Sequence, residues 1–257
     1  MTANLCRYFL QIAYRGTHCH GWQVQPNATT IQGAIQAGLA QVLRSEVPII
    51  GSSRTDTGVH ARQQFAHADL APDLDIDRLH YQLNAVLPSD IAIEAIRPVM
   101  PEAHARFDAI ARTYLYTIVR AKSPFHRETS YWLRGDLDVA QMNEAAAILC
   151  RKQDFQSLCK ARPVDEHFLC DVMEARWSVQ KDQLIFRIKA NRFLRSMVRL
   201  IVSLLLKVGQ GALSLVDFEA LIDKKQRDLS LPLVPAHGLA LTEVVYPEHI
   251  FTPSLSC

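Results

Sequence analysis

An α+β chain made of two similar halves, each with a mainly antiparallel sheet, is what the 257 residues predict. Three observations carry this. Segments of period two alternate with segments of helical period, the order of elements in the first half recurs in the second, and hairpin-length polar turns separate several strands. Strands separated by helices are also compatible with a parallel sheet; the recurrence of short turns favours the antiparallel arrangement.

The elements follow in order. Arg7 to Ala13 alternates Tyr8, Leu10 and Ile12 against Arg7, Phe9 and Gln11 and predicts a strand. Beyond a loop holding Gly16, Gly21 and Pro26, Thr30 starts a helix over Ile31 to Arg44, striped by Ile31, Ile35, Leu39, Val42 and Leu43. Strands are expected at Val47 to Ile50 and from Gln64 to about Leu70, then a helix over Asp77 to Val86 with Pro88 just beyond it, then a strand over Ile91 to Arg97. In the second half, Thr113 to Arg120 is a strand with Tyr114, Tyr116 and Ile118 on one face. Asp138 and Gln141 form a capping-box pattern before a helix reaching Leu149. Val172 to Val179 and Leu184 to Ala190 are strands around the polar turn Gln180 to Gln183. A helix from Phe193 to Val208 ends at Gly209, a shorter one spans Leu215 to Asp223 behind Ser214, and a strand runs from Leu239 to Tyr246. The expected domains are residues 1–108 and 109–257.

Composition narrows the function classes. With 49% hydrophobic and 21% charged residues the chain has the profile of an ordinary soluble globular protein. A formal net charge of +2 and a pI near 8.2 permit a polyanionic partner without requiring one. Six cysteines without a Cys-x-x-Cys pair, and no secretory leader, predict reduced thiols in a cytoplasmic protein. His18, Cys19 and His20 are ligand types, but no second ligand pair stands at zinc spacing, so no metal is expected. The apolar stretch Phe193 to Val208 is interrupted by Arg195, Arg199 and Lys207 and falls short of the roughly 20 residues that cross a bilayer, so no membrane is expected.

The chemistry concentrates in Ser52-Ser53-Arg54-Thr55-Asp56-Thr57-Gly58-Val59-His60-Ala61. This polar turn between two strands sets a carboxylate two residues from a guanidinium, a pairing that would favour an ionised Asp56. A solvated ion pair is the plain alternative. Basic residues stand near aromatic ones at Arg15, His18 and Trp22, at His104, Arg106 and Phe107, and at Arg192, Arg195 and Arg199 around Phe193, a combination suited to an RNA backbone with a splayed base. Arg195 and Arg199, four apart on the expected helix, share a face and need an anionic partner. Tyr114 and Tyr116 point the same way, as core aromatics or with one of them stacked on a base.

The run Ser53 to Ala61 resembles the Gly-Arg-Thr-Asp-Ala-Gly-Val-His-Ala signature of the TruA family of tRNA pseudouridine synthases. The resemblance continues through Tyr14-Arg15-Gly16, Gly21-Trp22-Gln23, Thr30-Ile31-Gln32, Leu87-Pro88-Ser89-Asp90-Ile91, His104-Ala105-Arg106-Phe107-Asp108-Ala109 and Arg112-Thr113-Tyr114-Leu115-Tyr116. It extends to Asp154-Phe155-Gln156-Ser157, Ala190-Asn191-Arg192-Phe193-Leu194, Met197-Val198-Arg199 and His237-Gly238-Leu239. It implies two α+β halves sharing an antiparallel sheet with a cleft between them. It also implies a homodimer that turns uridine into pseudouridine at positions thirty-eight, thirty-nine and forty of the tRNA anticodon arm. By the same resemblance Asp56 is the essential aspartate, Arg54 its motif neighbour and Arg199 its paired guanidinium, while Tyr114 stacks on the target base and Leu239 walls the pocket. The product is an isomer of the substrate, so no cofactor is implied. Ser53 and Thr57 depart from the signature's first glycine and its alanine. Three roles for Asp56 stay open: attack on C1′, attack on C6, or removal of the 2′ proton. A non-catalytic RNA chaperone and a metal-dependent hydrolase built on Asp56, His60 and His67 are the competing classes. Chelator sensitivity and the dispensability of Asp56 separate them.

Overall fold

The computed structural model describes residues 5–160, 167–226 and 232–251. In chain order the first elements are β1 (Cys6–Tyr14), α1 (Ile31–Leu43), β2 (Ile50–Gly51), β3 (His60–Leu70), α2 (Ile76–Val86), β4 (Ile91–Pro98) and β5 (Ala111–Val119). They are followed by β6 (Tyr131–Trp132), α3 (Val139–Leu149), β7 (Val172–Gln180), β8 (Gln183–Ala190), α4 (Met197–Gly209), α5 (Leu215–Asp223) and β9 (Leu239–Val245). The chain divides into two compact units, Met1–Ile110 with Leu241–Cys257, and Ala111–Ala240. The division therefore falls two residues beyond the expected 108/109 boundary, and the segment from Leu241 onward returns to the first unit.

In the first unit β1 lies between β4 and β3, antiparallel to both, and β9 from Leu241 on lies beside β3. The apolar stripe of α1, with Ile31, Ile35 and Leu39 fully buried, and Leu79 and Leu83 of α2 supply the helical layer of this core. Phe9, which alternates to the other face of β1, is buried as well, because Phe65, Tyr246 and Phe251 close around it. The strand expected at Val47 to Ile50 is reduced to Ile50–Gly51. Pro48 cannot donate to a ladder, and the Ile49 carbonyl is satisfied instead by Gln32 Nε2 at 2.8 Å.

In the second unit β5 and β7 flank β8, both antiparallel to it. The expected repetition is visible in this pairing. The first strand of each unit pairs antiparallel with the second strand after its helix, β1 with β3 and β5 with β8, and the strand between, β2 or β7, pairs with that same partner. The short β6, which the periodicity does not reveal, runs parallel to the end of β5. α4 is buried nearly all round, and a Cβ at its last residue, Gly209, would meet Met142 Sδ of α3 at 2.5 Å. Gly209 thus serves helix packing and not the C-terminal cap. The left-handed residue is Gly211, at φ +71°.

Among the described residues no helix is long and apolar enough to cross a membrane. Cys19, Cys150, Cys159 and Cys170 are free thiols, whereas Cys6 is disulfide-bonded, so the expectation of reduced thiols does not hold at Cys6. Cys257 lies outside the described residues.

Candidate active site

The loop between β2 and β3 is anchored by hydrogen bonds along its length. Ser52 N–H donates to Phe65 O at 2.7 Å, its hydroxyl bonds Gln64 Oε1, and Gln64 Nε2 donates to Ser53 O at 2.8 Å. Ser53 keeps a negative φ, so serine in place of the signature's glycine carries no backbone strain. Thr55 is the central anchor. Its hydroxyl lies 2.8 Å from Tyr14 Oη in a buried pair, and its carbonyl accepts from Trp22 N–H at 3.1 Å. Val59 N–H closes a turn onto Asp56 O at 3.1 Å.

Two glycines let the opening motif approach this closely. Gly21 has φ +86°, and a Cβ on it would stand 2.6 Å from Thr55 O. At Gly16 a Cβ would stand 2.1 Å from Val59 O, while its N–H donates to His60 Nδ1 at 3.0 Å. Successive side chains therefore diverge: Thr55 is buried, Asp56 is half-buried and Arg54 is exposed. Among the described residues Arg54 forms no ion pair with Asp56.

His60 and His67 are both occupied as acceptors, His67 Nδ1 taking the Ala105 N–H at 3.1 Å. The described residues hold no group of three or more His, Cys, Asp or Glu side chains arranged for a metal ion, which takes in Asp56, His60 and His67 as well as His18, Cys19 and His20.

The remaining candidates belong to the second unit. Tyr114, on β5, is buried, and its ring meets Phe193 edge-on at 5.2 Å. Tyr116, on the same face, donates its hydroxyl to Pro235 O at 2.9 Å, and burial pushes its ionisation far up. It is a satisfied core tyrosine, which leaves Tyr114 as the aromatic of interest. Arg199 stands in the first turn of α4, half-buried, with Nε donating to Val234 O at 2.9 Å. Arg195 does not share its face. Ser196 is left-handed at φ 61°, α4 begins only at Met197, and Arg195 lies exposed before the helix. Leu239 is buried at the start of β9, directly after the 3₁₀ turn Ala236–Gly238. His237 in that turn is held below the ordinary histidine range by burial first and by the Arg199 charge as well.

Residue types alone did not single out Tyr14 and Trp22 as the supports of the aspartate loop, nor Val234 as the clamp on Arg199. These partners lie 41, 33 and 35 positions away from Thr55, Thr55 and Arg199. No local pattern encodes such distances.

A family model described as tRNA pseudouridine synthase matches residues 11–108 and 145–247. The chain is 45% identical over 248 residues to tRNA pseudouridine synthase A of Bacteroides fragilis, covering 95% of this chain and 98% of that one. Against the protein of the same name from Parabacteroides distasonis identity is 45% over 246 residues, covering 95% and 98%. For that of Chlorobaculum tepidum it is 39% over 238 residues, covering 92% and 96%. With matches reaching both units and nearly the full length of these relatives, the chain belongs to the tRNA pseudouridine synthase family.

Proposed function

We propose that this chain isomerises uridine to pseudouridine in tRNA, at positions thirty-eight, thirty-nine and forty of the anticodon stem-loop, acting as a cytoplasmic homodimer without a cofactor. The observation that carries this reading is the Arg54 to Ala61 motif, which departs from the signature only at Thr57, on a loop whose backbone is pinned at Thr55 by Tyr14 and Trp22. Position, dimer and compartment rest on the family resemblance.

The reaction breaks the bond from ribose C1′ to N1 of uracil, turns the base and joins C5 to C1′. N1 gains a proton, and the C5 hydrogen passes to water. The target base must first leave its stack, at a cost of a few kcal/mol offset by stacking and phosphate contacts. In this reading Tyr114 supplies the stacking face and Leu239 the apolar wall. Asp56 starts the rearrangement by attack on C1′ or C6 or by removing the 2′ proton, and each of these requires an ionised carboxylate. Arg199 is assigned as the cation that keeps it ionised when the base excludes water. The clamp of its Nε on Val234 O fixes the fork of the guanidinium, which supports that assignment. Arg54, exposed beside Asp56, is assigned to the substrate's backbone.

Tritium release from tRNA labelled at uridine C5 tests the reading. Asp56→Asn is expected to lower turnover by more than about a thousandfold, roughly 4 kcal/mol of transition-state stabilisation. Its tRNA affinity should stay within about threefold, as expected of a group acting mainly in the transition state. Full activity in that variant removes Asp56 from the mechanism.

A further inference from the structure

The connection from β5 to β6 is an exposed surface segment rich in positive charge. A parallel pair demands a crossover, usually a helix of a dozen or more residues. Here residues 120–130 make it with only the 3₁₀ turn Pro124–His126. The segment is held at both ends: Thr129 N–H donates to His126 O at 3.2 Å, Ser130 Oγ to the same carbonyl at 2.7 Å, and Leu133 N–H to Val119 O at 3.1 Å. What this scaffold displays is cationic and aromatic. Arg120, Lys122, Arg127 and Arg134 face a single acid, Glu128, within residues 120–134, a local excess of three positive charges in a chain whose net charge is +2.

Phe125 is 92% exposed, and the Arg134 guanidinium stacks on the exposed Trp132 ring at 4.5 Å. Lys122 and Arg127 are exposed and form no ion pair or hydrogen bond among the described residues. Arg120 is engaged by Gly135 O and, at 4.0 Å, by Asp136. An aromatic ring in full contact with water beside unneutralised cations fits a polyanion that also offers flat faces.

From these features we propose that residues 120–134 form a second RNA-contact surface, which grips tRNA phosphates with Lys122 and Arg127 and packs Phe125 against an exposed base or sugar. The proposal rests on the tRNA reading above and extends it beyond the target base. Arg120 lies six residues along an extended strand from Tyr114, about 20 Å away. A nucleotide stacked on Tyr114 cannot itself reach this surface, so the contact falls on other nucleotides, which the proposal places outside the anticodon stem-loop. Charge decides for RNA over a second copy of this chain, because two such patches facing each other would repel.

The test compares full-length tRNA with the isolated anticodon stem-loop. Lys122→Glu with Arg127→Glu is expected to weaken binding of full-length tRNA more than about tenfold at 0.1 M salt and to reduce the slope of log K against log salt by about two. Stem-loop binding should change less than about twofold, as should full-length binding by Arg78→Glu, a charge reversal of equal kind on the exposed start of α2. Phe125→Ser should weaken full-length binding by about fivefold or more. Melting curves of each variant check that the fold is intact. Unchanged full-length affinity, or equal loss on both RNAs, overturns the proposal. So does a fall in sedimentation mass for Phe125→Ser, which would assign the surface to a second copy of the chain. Failure of the tRNA reading is recognised separately, since the wild-type protein would then make no pseudouridine.

Discussion

Asp56 is presented to its surroundings by a residue that does no chemistry. Thr55 turns inward, bonds Tyr14 Oη and receives the Trp22 N–H, and its two chain neighbours are thereby directed outward. Tyr14 is a positioning residue in this sense. Tyr14→Phe removes one buried hydrogen bond and leaves the Thr55 hydroxyl to find another partner, a loss of about 1 kcal/mol in stability. A loop shifted by a fraction of an ångström also costs rate, so kcat should fall about tenfold with KM little changed. A purely structural role would lower the melting temperature and leave kcat untouched, and the two measurements separate these outcomes. The motif with Arg54 and Asp56 was legible from residue types alone. The inward turn of Thr55 between them was not, because it depends on a tyrosine that meets Thr55 only through the pairing of β1 with β3.

At the scale of elements, both units solve one problem the same way. β4 and β7 are outer strands, and unpaired backbone on an outer strand invites foreign pairing. Asn84 of α2 accepts from Ile93 N–H and donates to Ile93 O, both at 2.9 Å. Asn143 of α3 does so at Trp177, accepting at 2.7 Å and donating at 3.3 Å. Each amide thus satisfies an outward backbone pair and ties helix to strand. Asn143→Leu is expected to destabilise the protein by about 1–3 kcal/mol, since both Trp177 backbone groups lose their partner, and Asn84→Leu by less, since Ile93 O keeps His80 Nε2 at 2.7 Å. Urea unfolding measures this, and a change below about 0.5 kcal/mol would show that water replaces the amide without cost. Helix starts were readable without any of this. Thr30, Asp138 and Ser214 accept from Gly33, Gln141 and Asp217 as their cap positions predict, because a cap is a contact across three residues. The start of α4 was misplaced by four residues, since its apolar periodicity runs back through Phe193 while Ser196 takes a left-handed backbone.

For the molecule as a whole, acid stability follows from histidines folded in the neutral state. Burial, followed by the charges of Arg7 and His104, lowers His67 from 6.5 to about 4. Its Nδ1 must stay unprotonated to accept the Ala105 N–H. His104 and His237 are lowered as well, by burial first. The unfolded chain therefore binds protons that the native state refuses, and stability present above the unfolded histidine pKa is lost as pH falls through the window from 6.5 toward 4. His67 alone accounts for up to about 3 kcal/mol across that window. Melting temperatures at pH 7 and pH 4.5 should show the loss, and His67→Gln, which keeps an acceptor but does not titrate, should flatten it. An unchanged slope in that variant would remove His67 as its origin.

Period, caps and the Arg54 to Ala61 motif were enough to determine the α+β class, the order of most strands and helices, and the family, because each rests on residues close in sequence or on an ordered series of short matches. Tertiary structure alone decided that Leu241 onward joins the first unit, that Pro48 and Gln32 cut β2 to two residues, that Thr55 turns inward between Arg54 and Asp56, and that β6 exists at all. Each of these depends on contacts between distant positions, whose formation is governed by the packing of whole elements and leaves no trace in a local window.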